Sequence, residues 1–300
     1  MTATHPLDSP DAPRLVPRRY SGTRIAFLLG VERVSRFLGG RAFYRRAYLA
    51  RGRFRVRHER VAVRGLPRGL EGFRIAHLSD FHGGSFLGPG DLAAVVEETN
   101  ALAPDLVALT GDYITHHWSE ALRPLEDLAR LRARHGVFAV FGNHDYRERK
   151  EDKIAAAYAE RGIRFLRNEC ARVDTGDGVL AVVGIEDLEE SKTIDLGAAR
   201  APVEEGDVEL VLLHNPRGAG GVVRPGCAVV LSGHTHGHQI DLPLIRRIGP
   251  THPGDRQDLN GTAVITSRGL GVIGIPLRLF SPAEVVVVEL RAGEEAHRAG

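Results

Sequence analysis

From Phe73 onward, short apolar segments alternate with segments of helical periodicity, which is the pattern of an α/β domain. The predicted strands are 73–79, 106–110, 137–141, 179–183, 208–213, 228–231, 263–266 and 285–290. The predicted helices cover 91–102, with Asp91 as N-cap, then 119–134 and 150–161. Residues Thr175 to Gly178 predict a hairpin turn. The 35 glycines and 16 prolines agree with such a turn-rich fold and exclude a helical bundle.

Histidines, carboxylates and one asparagine directly follow five of these predicted strands. The groups are Asp80-Phe81-His82, Gly111-Asp112, Gly142-Asn143-His144-Asp145, His214-Asn215 and Gly233-His234-Thr235-His236. The carboxyl ends of strands form the active-site edge of an α/β sheet, so we expect all five groups to meet in one crevice.

These groups contain more metal ligands than one ion needs. The candidate ligands are Asp80, His82, Asp112, Asn143, His214, His234 and His236. Such a mixed oxygen and nitrogen set suffices for two divalent ions about 3.5–4 Å apart that share a carboxylate. Because no cysteine joins the set, we expect manganese, iron, or zinc in a nitrogen and oxygen shell.

In this order the motifs D-x-H, G-D, G-N-H-D, H and G-H-x-H resemble those of the calcineurin-like metallophosphoesterase superfamily, over about residues 73–290. The resemblance implies a mixed α/β fold, a four-layer αββα sandwich of two mixed sheets. It further implies the role of each ligand. Asp80, His82 and His236 would bind the first metal, Asn143, His214 and His234 the second, and Asp112 would bridge them.

The same resemblance implies that His144 contacts the substrate phosphate and aids departure of the leaving group, while Asp145 orients His144. The expected activity is hydrolysis of phosphoester or pyrophosphate bonds, with a metal-bridging hydroxide attacking phosphorus in line. A soluble broad-specificity phosphatase or cyclic-nucleotide phosphodiesterase is the alternative. A non-enzymatic scaffold is disfavoured because no ligand is missing.

Motifs in the carboxyl-terminal part of the chain distinguish between branches of this superfamily. The stretches Gly233 to Ile240, Ser267 to Gly271 and Pro276 to Phe280 resemble the membrane-associated bacterial branch. That branch contains cell-envelope phosphoesterases and an alternative UDP-2,3-diacylglucosamine pyrophosphohydrolase, which implies a lipid-linked substrate such as a UDP-acyl-sugar. Its members usually begin with a membrane segment or export signal, and more often have glycine at the position of His238. The candidate substrate-binding residues are His116, His117, His238 and Arg268.

The amino-terminal part of the chain is strongly basic. Residues 1–70 hold 16 arginines and four acidic residues, a net charge of +12, whereas the whole chain carries +2. A helix over 24–38 is predicted to have an apolar stripe with Glu32, Arg33 and Arg36 opposite. The stripe consists of Phe27, Val31, Val34 and Leu38. We expect an amphipathic extension over 1–60, a catalytic domain over 61–300, and peripheral binding to the anionic inner face of the cytoplasmic membrane.

Three alternatives remain for this basic segment. The stripe could pack on the catalytic domain and leave the arginines in solvent, or Arg18 and Arg19 could belong to a twin-arginine export signal. Nucleic acid is the third, and it is not expected because no groove-reading motif accompanies the charge. No segment has the roughly 18 apolar residues of a spanning helix. Cys170 and Cys227 are too few and too far apart for a disulfide framework or a zinc ribbon, which fits a reducing compartment.

Overall fold

Two six-stranded mixed sheets lie face to face at the centre of the protein. The computed structural model describes residues 14–16, 21–244 and 252–293. The strands are β1 Arg55–Val63, β2 Arg74–Leu78, β3 Leu106–Thr110, β4 Val137–Val140, β5 Ile163–Phe165, β6 Glu169–Asp174, β7 Val179–Gly184, β8 Val208–Leu212, β9 Cys227–Ser232, β10 Arg256–Leu259, β11 Thr262–Thr266 and β12 Glu284–Ala292. The first sheet has the order β1-β12-β2-β3-β4-β5, and the second has the order β10-β11-β9-β8-β7-β6.

Parallel pairing dominates the centre of both sheets. In the first sheet β2, β3, β4 and β5 run parallel, and β12 lies antiparallel to β2. In the second sheet β11, β9, β8 and β7 run parallel, and the edge strands β10 and β6 are antiparallel to their neighbours. The parallel strands therefore end at the same edge, and the site forms there.

Helices cover the outer faces of both sheets. They are α1 Gly22–Phe37, α2 Gly40–Tyr44, α3 Ala93–Ala101, α4 Leu122–Leu128, α5 Glu151–Ala159, α6 Leu196–Arg200 and α7 Ala219–Val222. Successive side chains of β3 lie on opposite faces of the first sheet, which explains how the sheet packs on both sides. Leu106 and Ala108 belong to the core between the two sheets. Their neighbours Val107 and Leu109 join the core under α3, α4 and α5. The predicted αββα arrangement of two mixed sheets is confirmed.

All eight predicted strands are present, and β6 pairs with β7 as the other arm of the hairpin predicted between residues 171–174 and 179–183. Three strands were not predicted, namely β1, β5 and β10. The predicted helix over 119–134 is only α4, preceded by a 3-10 turn over Trp118–Ala121. Asp91 does not cap α3. Its Oδ2 instead accepts a hydrogen bond from the amide of Gly88 at 2.8 Å and one from Arg41 Nε at 2.7 Å.

Residues before position 60 contribute to the core of the catalytic domain. Tyr44, Leu49 and Phe54 are buried in the same apolar cluster as the inner faces of α3, α4 and α5. Strand β1 pairs with β12 in register from Arg55 to Val63. The predicted domain boundary between residues 60 and 61 therefore falls inside a strand, and only α1 lies on the surface as a separate amphipathic element.

Helix α1 turns its apolar stripe outward. Phe27 is 70% exposed, Val34 59% and Leu38 76%, whereas Glu32 on the opposite side is 5% exposed. The alternative in which this stripe packs on the catalytic domain is therefore wrong. No helix among the described residues is long and apolar enough to cross a bilayer. Arg18 and Arg19 lie outside the described residues.

The burial of Leu49 generates a stability prediction. We expect Leu49→Ala to lower the free energy of unfolding by about 2–5 kcal/mol, because it opens a cavity under the first sheet. Leu38→Ala removes the same atoms from a side chain that is 76% exposed, and we expect a change of less than about 0.5 kcal/mol. Urea denaturation of both variants checks this. Equal stabilities would mean that residues before 60 do not contribute to the core.

Candidate dinuclear metal centre

Loops at the carboxyl ends of β2, β3, β4, β8 and β9 bring all seven predicted metal ligands together. Asp80, His82, Asp112 and His214 are almost completely buried, and each follows a strand of the central parallel pairs. The two sheets meet at this edge, so side chains that are up to about half the chain apart in sequence converge.

The first group consists of Asp80, His82 and His236, whose ligand atoms all lie within 4.8 Å of one another. Nε2 of His236 is 3.4 Å from Oδ1 of Asp80 and 2.9 Å from Nε2 of His82. Two imidazole nitrogens and a carboxylate oxygen thus point toward one small volume, as the ligands of a divalent ion do.

The second group consists of Asp112, His214 and His234, with the same closeness of ligand atoms. Asn143 joins it, because its Oδ1 is 3.0 Å from Nδ1 of His234. The structure therefore brings the seven predicted ligands together in two adjacent groups, and the assignment of each group to one metal ion stays a prediction.

Asp112 lies between the two groups. Its Oδ2 is 3.4 Å from Nε2 of His82 in the first group and 3.3 Å from Nε2 of His214 in the second. Its other oxygen, Oδ1, accepts a hydrogen bond from the backbone amide of His144 at 2.9 Å. One oxygen is thereby held by the backbone and the other is directed between the groups, which is the geometry that a bridging ligand needs.

Hydrogen bonds to backbone carbonyls fix the tautomers of two ligands. Nδ1 of His82 donates to the carbonyl of Ile114 at 3.1 Å, and Nδ1 of His214 donates to the carbonyl of Thr110 at 2.6 Å. The Nε2 lone pair of each ring is then directed at Asp112, the arrangement that orients metal-bound histidines. Nε2 of His214 is buried and has no hydrogen-bond partner among the described residues. The donor set therefore fits a pair of divalent ions.

Burial favours the neutral, metal-binding form of two of the histidines. Burial lowers the pKa of His82 to about 4 and that of His234 to about 3, so both imidazoles are neutral at neutral pH, as metal binding requires. Burial opposes ionisation of Asp112, yet the neighbouring imidazoles of His214 and His144 hold its pKa well below the usual range.

Gly142 permits the close approach of the β4 loop to the bridging carboxylate. A Cβ atom at this position would lie 2.3 Å from Oδ1 and 2.6 Å from the backbone nitrogen of Asp112. The contact involves backbone as well as side chain, so it cannot be relieved by rotation of a flexible group. Glycine is therefore required before Asn143.

His144 lies at the edge of the metal centre. A ring nitrogen of His144 is within 4.8 Å of ligand atoms of His82 and Asp112, and its Nδ1 is 3.3 Å from the carbonyl oxygen of Thr115. This position agrees with a contact to substrate next to the two groups. Its role in departure of the leaving group stays a prediction.

Asp145 does not hydrogen-bond to the ring of His144, in contrast to the expectation. Its carboxylate accepts hydrogen bonds from the backbone amides of Gly142, Asp112, Tyr113 and Ile114 at 2.8–3.2 Å. Asp145 therefore joins the loops that follow β3 and β4, and it orients the backbone that carries Asp112 and Asn143.

The four candidate substrate-binding residues differ in their surroundings. His116 is near His144 but is paired with Glu32 of α1, and His117 is largely exposed and paired with Glu148. The ring of His238 packs against that of His252 at 5.8 Å. Arg268 makes a bidentate ion pair with Asp255, with distances of 2.8 and 2.9 Å, so its guanidinium holds the loop and is not directed at a substrate.

Three further residues near the site were not predicted. They are Glu32, Arg147 and Glu189. Arg147 lies two residues after the Gly142-Asn143-His144-Asp145 motif, so its sequence position carried a signal. Glu189 lies in the loop after β7, and its Oε1 is 4.0 Å from Nε2 of His234. Nothing in the sequence indicates that Glu32 reaches a loop 84 residues away.

The model of the calcineurin-like phosphoesterase family matches residues 73–238. A Danio rerio protein described as "Transmembrane protein with metallophosphoesterase domain" is 30% identical over 245 residues, which are 77% of this chain and 56% of that protein. The Bacillus subtilis "Uncharacterized metallophosphoesterase YkuE" is 28% identical over 237 residues, 76% of this chain and 82% of its own. The chain thus spans little more than half the length of the Danio rerio relative.

Among solved structures, the NAD nucleotidase of Haemophilus influenzae is similar, with a TM-score of 0.47 and 16% identity. The match covers 66% of this chain and 50% of that chain.

The requirement for glycine before Asn143 can be tested directly. We expect Gly142→Ala to lower metal content and to reduce kcat/KM at least about tenfold, because the new methyl group displaces Asp112, and such overpacking costs about 1–3 kcal/mol. Gly220→Ala is the control, since a Cβ there meets no atom within 4 Å. Elemental analysis and turnover of a p-nitrophenyl ester measure both effects. An unchanged Gly142→Ala enzyme would contradict the close approach.

The position of Asp112 between the two groups generates a second prediction. We expect Asp112→Ala to lose both metal ions and to lower kcat/KM at least about 100-fold, because one carboxylate serves both groups. Inductively coupled plasma mass spectrometry of the purified variant gives the stoichiometry. Retention of two tightly held ions would show that Asp112 is not the bridge.

Proposed function

The chain belongs to the calcineurin-like phosphoesterase family and is a metal-dependent phosphoesterase, and we propose that it hydrolyses phosphoester or pyrophosphate bonds of lipid-linked substrates at an anionic membrane surface. A UDP-acyl-sugar is one substrate of this class. The observation that carries the lipid part of the proposal is the exposed apolar face of α1, which lies next to loops of the site.

The chemistry rests on the seven ligands described above. Two divalent ions bound by them would neutralise phosphoryl oxygens and lower the pKa of a water molecule. Asp112 lies between the two ligand groups and contacts both of them. The fixed tautomers of His82 and His214 direct their Nε2 lone pairs toward Asp112. His144 lies beside them, where it can contact the phosphoryl group. Asp80, His82, Asp112 and His214 are almost fully buried, which limits the access of competing water to their ligand atoms.

Helix α1 presents an apolar surface that nothing among the described residues covers. Its exposed side chains are Phe27, Val34 and Phe37, with Leu38 directly after the helix. Arg33 and Arg36 are also exposed on this helix. An apolar stripe flanked by arginines suits the boundary between headgroups and acyl chains of an anionic bilayer.

A second group of exposed apolar side chains follows the ligand loop of His234 and His236. The group consists of Leu244, Leu277, Leu279 and Phe280, which are 37–86% exposed. Gln239 holds these segments together, because its Nε2 donates to the carbonyl of Ile273 at 3.1 Å. A Cβ on Gly274 would lie 3.8 Å from Cδ2 of Leu28, so α1 contacts the same loop. Contiguous apolar surface of this kind marks an interaction site.

Both surfaces therefore lie on elements that contact each other near the ligand loops, and a lipid-borne phosphoester could reach the metal centre while its acyl chains stay in the membrane. Under this proposal the enzyme is peripheral and acts at the inner face of the cytoplasmic membrane. Export to the outer face is the alternative location.

Vesicle binding tests the proposal. We expect the full-length protein to sediment with phosphatidylglycerol vesicles at low salt, and Phe27→Ser/Val34→Ser/Leu38→Ser to remain in the supernatant. The triple variant should hydrolyse soluble bis-p-nitrophenyl phosphate at an unchanged rate, since these side chains are exposed. Its turnover of a UDP-linked acyl sugar in vesicles should fall about tenfold or more, because each buried apolar side chain contributes about 1.5–3 kcal/mol.

Phosphatidylcholine vesicles and 0.5 M salt are the controls for charge, and binding should weaken in both. Wild-type protein that stays in the supernatant with phosphatidylglycerol vesicles would contradict membrane docking. Equal turnover of p-nitrophenyl phosphate, bis-p-nitrophenyl phosphate and the acyl sugar would favour the soluble broad-specificity phosphatase instead.

A further inference from the structure

A continuous set of polar contacts joins α1 to the edge of the metal centre. Oε2 of Glu32, on α1, is 3.1 Å from Nε2 of His116. Nδ1 of the same ring is 3.3 Å from Nη1 of Arg147, and Nη2 of Arg147 is 3.4 Å from Nε2 of His144. The surface helix therefore reaches the candidate substrate-contacting histidine through two side chains.

The chemistry of the groups fixes the direction of these hydrogen bonds. An arginine only donates, so Nδ1 of His116 and Nε2 of His144 both accept from Arg147. His116 then carries its proton on Nε2 and donates it to Glu32. His144 carries its proton on Nδ1 and donates it to the carbonyl of Thr115, which also accepts a hydrogen bond from Arg147. In these tautomers each imidazole N–H of the set has an acceptor.

Glu32 is an unusual residue for a surface helix, because its carboxylate is buried. It is 5% exposed, its carboxylate hydrogen-bonds to His116, and Ser85 in the loop after His82 lies beside it. Burial opposes its ionisation, but His116 and Ser85 hold its pKa below the usual value. Two active-site loops, one after β2 and one after β3, are thus tied to α1 at a single carboxylate.

Arg147 differs from neighbouring arginines in having no carboxylate oxygen within 4.0 Å among the described residues. Arg149, two positions along the chain, pairs with Glu190, and Arg268 pairs with Asp255. Arg147 is instead held by one carbonyl and two imidazoles, and its side chain reaches solvent. Its positive charge is therefore available to an anion, and a guanidinium fork matches phosphoryl oxygens in geometry.

We propose that Arg147 binds a second phosphoryl group of the substrate, adjacent to the one that is attacked at the metal centre, and that Glu32 positions Arg147 through His116. This inference rests on the proposed phosphoesterase function and narrows the substrate class to pyrophosphate-linked compounds. His144 lies next to Asp112, and Arg147 contacts the far side of the His144 ring. A second phosphoryl group, next to the one that is attacked, would extend to this position. Arg147 would be a binding residue for substrate, and Glu32 a positioning residue.

Two phosphonates separate the binding of one phosphoryl group from the binding of two. Methylphosphonate has one such group and methylenediphosphonate has two, and neither is hydrolysed. Their inhibition constants against bis-p-nitrophenyl phosphate would be measured with metal in excess, and their affinities by calorimetric titration. The variants are Arg147→Met, Arg147→Lys and, as a control of equal charge change, Arg149→Met.

We expect Arg147→Met to weaken methylenediphosphonate binding about 10- to 100-fold, the range for one hydrogen bond to a charged group. Binding of methylphosphonate should change less than about threefold. Arg147→Lys should be intermediate, because it keeps the charge but loses the fork, and Arg149→Met should leave both affinities unchanged. An equal loss for both phosphonates in Arg147→Met, or no loss for either, would overturn the proposal.

Glu32→Gln tests the positioning role in the absence of vesicles. We expect a selective loss of methylenediphosphonate affinity of about 3- to 10-fold, because a neutral amide holds His116 less strongly than a carboxylate. Metal content should stay at the wild-type level. Glu97→Gln is the control, since Glu97 is an exposed acid that pairs with Arg51. Unchanged affinity in Glu32→Gln, or a parallel loss of metal, would reject the positioning role.

Failure of the proposed function would look different. Wild-type protein that binds two metal ions but hydrolyses no phosphoester would contradict the activity, whereas calorimetric titration of the phosphonates would still decide the role of Arg147.

Discussion

Burying the carboxylate of Asp112 without compensation would cost several kcal/mol, because an unpaired charge is poorly solvated inside a protein. The protein's own groups compensate this charge at one oxygen only. One oxygen accepts the backbone amide of His144, and the other lies 3.3–3.4 Å from the imidazoles of His82 and His214. Since both imidazoles also accept through Nε2, the arrangement has an excess of lone pairs, which divalent cations would satisfy. The positions of the loops that carry these three residues follow from this requirement.

The backbone of the ligand loops is strained, because the loops must bring these side chains together. Several ligands adopt a left-handed conformation, with φ between 46° and 68°, namely Asp80, His82, Asp112, His234 and His236. Each non-glycine residue in this region costs about 1 kcal/mol or more, and such strain persists only where the surroundings impose it. The four backbone amides that converge on Asp145 are one such constraint, because they fix the loops after β3 and β4 together. The protein's own contacts therefore hold the ligand loops in this arrangement.

Much of this could be predicted from the sequence, because each ligand is encoded locally. A strand that ends in Asp80-x-His82 or Gly142-Asn143 places its polar groups at the sheet edge whatever the rest of the chain does. The strands themselves follow from runs of apolar residues. Their register and the tautomers could not be predicted, since they depend on contacts such as Nδ1 of His214 with the carbonyl of Thr110, 104 residues earlier.

The sequence-based interpretations that differ from the structure are therefore those of residues whose partners lie elsewhere in the chain. Arg268 lies in the motif that resembles the membrane-associated branch, but its charge is taken up by Asp255, a pairing that no periodicity indicates. Strand β1 was not predicted because its composition is unusual for a buried strand. Its first six residues, from Arg55 to Arg60, are all polar or charged except Val56 and resemble a basic surface segment. Arg57 is nevertheless 4% exposed and paired with Glu284 of β12.

Helix α1 shows how tertiary contacts decide what a helical wheel leaves open. The wheel allows the stripe that contains Phe27 and Val34 to face either a membrane or the domain, and in the structure the stripe is exposed while Glu32 is buried. A helix of 16 residues is marginal in isolation, so its contacts with the loops beside it decide which face turns inward. The buried carboxylate makes that choice specific, because Glu32 finds His116 and Ser85 only in this orientation. An apolar face is thereby held outward beside the site, and docking of that face on a bilayer would fix the direction in which the metal centre opens.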